Sequence, residues 1–94
     1  MKIELPREAV ENAAWEADLD AEEDLRFDYS GRGQFGAQCF GLVGNDSQFL
    51  KFMIKFAELE PDLAWALTDQ VRTDSMGYDS IYYFPNATVI DEED

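Results

Sequence analysis

The chain contains no histidine, a single cysteine (Cys39) and only seven basic residues among 94. Without an imidazole there is no His-based zinc site and no base for Ser-His-Asp or Cys-His catalysis. One cysteine cannot close an internal disulfide, and its solitary use points to a reducing, cytosolic setting. Hydrophobic runs are short. None reaches the ~18 residues that a membrane helix needs, and Met1-Lys2 is followed by no apolar segment of the signal-peptide kind. The scarcity of bases leaves 21 acids almost unopposed, for a formal net charge of −14. Unaided binding to DNA, RNA or an anionic membrane is thereby excluded, because each phosphate would meet like charge.

What is present suffices for one small domain. At 46% apolar and 14% aromatic the chain can build a core, although a domain of this size buries only roughly 60–65% of its unfolded surface. A single domain over residues 1–90 is expected, followed by an acidic, disordered tail at 91–94. The charge is unevenly spread. Residues 1–28 hold ten acids against Lys2, Arg7 and Arg26, a net of −7. Asp91, Glu92, Glu93 and Asp94 add −4, whereas 29–90 carries only −3.

Pattern places the elements. Residues 2–5 read as a short strand or a lead-in, and Pro6 suits the first turn of a helix. Val10, Ala13, Ala14 and Ala17 recur at helical spacing, predicting an acidic amphipathic helix over 6–18 that docks weakly through its alanines, with Trp15 at one edge. Residues 18–24 continue that helix or form an acidic linker. Leu25, Phe27 and Tyr29 alternate with polar residues as a strand does, and 37–43 reads as a second strand, paired as an antiparallel hairpin. Asp46 or Ser47 is the expected cap of the main core helix. Over 48–59, Phe49, Leu50, Phe52, Met53, Phe56 and Leu59 surround a polar face of Gln48, Lys51, Lys55 and Glu58. Pro61 interrupts it and opens a second helix lined by Leu63, Ala64, Leu67 and Val71. Arg72–Asp74 is expected to be extended, Ser75-Met76-Gly77 to turn, and 80–84 to be a strand ended by Pro85-Asn86. The expected fold is α+β: a small antiparallel sheet of three to four strands packed against a helical segment at about 47–71.

Several motifs offer chemistry and most can be dismissed. Gly31-Arg32-Gly33-Gln34-Phe35-Gly36 satisfies G-x-G-x-x-G, but a dinucleotide site needs a helix to start at the last glycine, and a strand pattern follows instead. A glycine loop with free N–H groups around Arg32 remains, able to turn a hairpin or to seat an anion. Asp69, Asp74 and Asp79 match no EF-hand spacing, so no metal or other cofactor is expected. Cys39 sits mid-strand without a cationic neighbour in sequence and reads as a buried small hydrophobe. No catalytic constellation emerges, and the chain is not expected to be an enzyme. The acids themselves are the remaining signal. On a helix rising ~1.5 Å per residue, carboxylates every three or four residues lie about 5–6 Å apart, comparable to phosphates along one strand. Glu4, Glu8, Glu11, Glu16, Asp20 and Glu23 are expected to form such a row.

Four separated segments, Tyr29–Gly36, Cys39–Gly44, Arg72–Gly77 and Ile81–Pro85, occur in an order that resembles a group of small bacteriophage proteins. These share a YSGRG-x-x-G start and an R-T-D-x-M-G…I-x-Y-x-P end, and the resemblance covers about residues 27–85. It implies a phage origin and a cytoplasmic role in the host cell, upon or against host machinery, and carries over no catalytic residue.

Two functions follow as expectations. The first is an acidic interaction protein that inhibits a host defence complex, such as a CRISPR effector or restriction enzyme, by offering its basic surface a nucleic-acid-like face. The residues concerned are Glu8, Glu11, Glu16, Asp18, Asp20, Glu22, Glu23 and Asp24. The alternative is a module for a small ligand or nucleotide, built from the Gly31–Gly36 and Asp74–Gly77 loops with Tyr29, Ser30, Gly31, Arg32, Gly33, Arg72 and Asp74. In either case no nucleic acid or membrane is bound directly, and the chain acts as a monomer or small homo-oligomer.

Overall fold

Nine elements follow one another through residues 2–30 and 38–91, the part of the chain that the computed structural model describes. They are β1 (Ile3–Pro6), α1 (Arg7–Glu16), β2 (Leu25–Tyr29), β3 (Cys39–Gly44), α2 (Asp46–Leu59), α3 (Pro61–Thr68), β4 (Arg72–Met76), β5 (Asp79–Phe84) and β6 (Ala87–Ile90). The class is α+β, as the periodicities predict. Strands β2-β3-β5-β4 form an antiparallel sheet, and β1 and β6 make a separate parallel pair with Ile3 opposite Ala87 and Leu5 opposite Val89. That parallel pair is missing from the sequence reading, which leaves 87–90 unassigned. No described helix is long and apolar enough to cross a membrane.

Alternation along β3 and β5 gives the sheet two apolar faces. Phe40, Leu42, Tyr82 and Phe84 join the main core with Val10, Ala13 and Ala14 of α1, Phe52, Met53 and Phe56 of α2, and Ala64 and Leu67 of α3. Cys39, Val43, Ile81 and Tyr83 are buried on the opposite face, with Tyr29 packed beside them. Phe40 anchors the aromatic core, its ring 5.9 Å from that of Phe84 and 6.0 Å from that of Phe52. Gly41 permits the sheet to close: a Cβ there would stand 3.2 Å from the Cβ of Tyr83, its cross-strand partner.

Several element ends differ from expectation, each for a local reason. Pro6 closes β1 and caps α1 instead of lying inside it. Asn45, not Asp46 or Ser47, caps α2, because its side chain and that of Gln48 exchange hydrogen bonds with each other's backbone N–H at 2.9 and 3.1 Å, a complete capping box. Helix α3 stops at Thr68, so Val71 falls outside it. Ser75 and Met76 extend β4, and the turn is Gly77-Tyr78, with Gly77 at φ 66 as a two-residue hairpin with glycine first requires. Leu50 and Leu59, grouped with the core residues by sequence, are exposed, and so is Ile54.

Candidate functional site

The face of α1 turned away from the core carries Glu8, Glu11, Asn12 and Trp15, spaced so that Trp15 lies one turn beyond Glu11 and two beyond Glu8. Its opposite face is alanine-rich: Ala9, Ala13 and Ala14 are buried together with Val10. Small residues there let the helix approach the core closely and leave the large indole outside. Trp15 is 80% exposed.

The helix then ends abruptly. Leu19 N–H donates to the Ala14 carbonyl at 2.9 Å and Asp18 N–H to the Trp15 carbonyl at 3.2 Å, the paired bonds of a Schellman motif. Asp18 takes the left-handed position with φ 59, and Leu19 turns back into the core. A single tight turn follows. Asp20 Oδ1 accepts from the N–H groups of Glu22 and Glu23 at 2.7 and 3.3 Å, and Asp24 Oδ2 accepts from the Asp20 N–H at 2.9 Å. The segment 18–24 is therefore neither linker nor helix. Its carboxylates fold it and fix where the others point.

This reversal gathers acids around the indole. Glu11, Asp18, Asp20 and Glu22 line the shallow clefts that Trp15 also lines. Of the other acids singled out by sequence, Glu8 lies toward the start of α1 beside Leu59 and Glu60. Glu16, Glu23 and Asp24 are absent from these clefts. The expected row of six carboxylates on one helix does not form, because Glu4 is on β1 and the chain reverses at Asp18 before Asp20 and Glu23. Among the described residues Arg7 is the cation paired with the group, 3.8 Å from Glu11, bonded also to Asp91 and stacked 4.3 Å over the Phe27 ring. Sequence reasoning set Trp15 at the edge of the helix. Its spacing from Glu8 and Glu11 is the signal that puts it in the middle of their face.

The second set of candidate residues is split. Gly31, Arg32 and Gly33 lie outside the described residues. Tyr29 and Asp74, on the two edge strands, are brought together: the Tyr29 hydroxyl donates to Asp74 Oδ2 at 3.2 Å, and its ring lies 5.0 Å from that of Tyr83. Burial, then the bond to Asp74 and its charge, raises the Tyr29 pKa above its ordinary value of 10.0, so the pair is a neutral phenol donating to a carboxylate. Arg72 is exposed, in register with Tyr83 on the same strand ladder, and Ser30 is exposed. Among the described residues no three metal-ligating side chains cluster.

No protein-family model, curated protein or solved structure matches the chain.

Proposed function

We propose that this protein is an acidic interaction protein that occupies a basic, nucleic-acid-binding surface of a protein partner through the face centred on Trp15. The observation that carries the reading is the bare indole ringed by Glu11, Asp18, Asp20 and Glu22. Surfaces that hold single strands combine cations for phosphates with planes on which bases stack. Carboxylates around an aromatic ring offer the same two complements: negative charge for Lys and Arg, and a π face for a guanidinium. Tryptophan is also one of the side chains enriched at interface hot spots. The resemblance to bacteriophage proteins points to a host defence complex as the target.

The test uses the whole protein as bait in bacterial lysate, with added nucleic acid as competitor. The bound partner is expected to be displaced by nucleic acid, to be lost with Trp15→Ala, and to associate more slowly with the Glu8→Gln, Glu11→Gln, Glu16→Gln triple variant. A partner indifferent to nucleic acid sinks the reading. So does one that leaves Arg32→Ala but stays on the triple variant, an outcome favouring a ligand site that uses Arg32 with Tyr29 and Asp74.

A further inference from the structure

Helices α2 and α3 each carry a second apolar stripe besides the one they bury. On α2 it is Leu50, Ile54 and Ala57, and on α3 it is Pro61, Trp65 and Thr68, both at i, i+4, i+7. The stripes meet across a shallow groove floored by Met53 and Ala64. Leu50 is 59%, Ile54 56% and Trp65 75% exposed, an apolar area of a few hundred Å², the size that marks an interaction site on a small domain.

Its two borders carry opposite charge. Beside the α2 stripe stands Lys51, while the neighbouring Glu58 is neutralised by Lys55 at 3.7 Å. Beside the α3 stripe stand Asp62 and Asp69. Among the described residues Lys51, Asp62 and Asp69 make no ion pair. A strip with one positive and one negative border is complementary to itself. A two-fold axis running along the strip sets α2 of one copy over α3 of the other and keeps each residue's height, so that Lys51, about 12 Å from the α2–α3 turn, meets the partner's Asp69 at the same height, once on each side of the axis.

We propose that the α2–α3 face is a homodimer interface, closed by apolar contact around Ile54 and Trp65 and oriented by Lys51 against the Asp69 of the second copy. The area is below the roughly 800 Å² per partner of a standard interface, so the dimer is weak and concentration-dependent. Net repulsion between two copies at −14 opposes it, so added salt strengthens it. The Trp15 face lies on α1 and stays free in the dimer.

The experiment is sedimentation of the purified chain across protein concentrations in low and high salt, with no partner present, so that its outcome is independent of the Trp15 reading. A reversible dimer is expected, and Trp65→Ala, at an exposed position, weakens it at least tenfold. Lys51→Glu and Asp69→Lys, each alone, remain monomeric because both copies of the border then repel. Mixed in equal amounts they form a heterodimer, since every border in the mixed pair is complementary. Folding of each variant is checked by its unchanged melting profile. A chain that stays monomeric at the highest concentration in high salt overturns the proposal, whatever else binds the groove. So does a dimer that persists in both single charge variants.

Discussion

Asp18 is the only described residue other than glycine in the left-handed region. The Schellman closure of α1 needs such a residue at this position, and a Cβ there is crowded, though less for aspartate than for most side chains. Asp18→Gly is expected to stabilise the fold by roughly 0.5–1 kcal/mol. Asp18→Asn removes the same charge without the backbone relief and is expected to gain less, as urea unfolding will report. Equal gains would show that crowding of carboxylates, not φ, sets the strain. Tyr82 supplies a second test. Its ring stacks 4.3 Å from Phe49 and its hydroxyl donates to Asp46 in the first turn of α2. Burial first, then that bond and the Asp46 charge, pushes its pKa from 10.0 up to about 12. A pKa raised by folding contributes stability that is complete below pH 10 and is lost as pH climbs toward 12. Wild type is expected to exceed Tyr82→Phe by about 0.5–1.5 kcal/mol at neutral pH. That margin should shrink between pH 10 and 12 in denaturant titrations. A constant margin across this range would refute the coupling.

Among the helices α2 buries the largest side chains. Phe52 and Phe56 are fully buried with their rings 5.8 Å apart, and Phe52 also meets Phe40. Phe52→Ala or Phe56→Ala is expected to cost about 3–5 kcal/mol, a large fraction of what a small domain possesses. Chemical unfolding of either variant measures it, and a loss below ~1 kcal/mol for both would contradict the packing described. These phenylalanines were legible because 3.6-residue periodicity announces a buried stripe, and alternation in 25–29 and 80–84 announced strands equally well. Three features were not legible, for separate physical reasons. The parallel β1–β6 pair joins short segments 84 residues apart in register, with no hairpin turn between them to declare it. The cap of α2 depends on a reciprocal bond between Asn45 and Gln48, and sequence alone left Asp46 and Ser47 as equal competitors. Leu50 and Leu59 look like core because hydrophobicity is counted without knowing which flank the sheet covers. At the candidate site the acids were apparent from composition, but their gathering around Trp15 depends on a chain reversal at Asp18 that no glycine signals.

At the scale of the whole molecule, charge opposes folding. Acids outnumber bases three to one, and few of the described bases engage carboxylates. Arg26 donates to the backbone carbonyls of Glu23 and Leu25, and Lys51 has no acidic partner among the described residues. Lys55, 3.7 Å from Glu58, and Arg7 are the exceptions, Arg7 tying Glu11 and Asp91 together while its guanidinium covers Phe27. Two effects of salt therefore compete. Screening to ~8 Å at physiological ionic strength relieves the repulsion spread over the 8–24 region, and it also weakens the Arg7 contacts. Exposed ion pairs contribute only about 0–1 kcal/mol, so relief is expected to win. At protein concentrations low enough to keep the chain monomeric, the melting temperature is expected to rise between low salt and ~0.5 M NaCl. For a domain of this size each 1 kcal/mol gained moves the midpoint by roughly 4–8 °C. Arg7→Gln removes the attractive contacts that salt would weaken while leaving the repulsion in place. Its midpoint should start lower and climb more steeply than that of the wild type. A wild-type midpoint that falls with salt, together with a flat response from Arg7→Gln, would mean that Arg7 outweighs the distributed repulsion. The acidic face would then be held against the fold by that single cation.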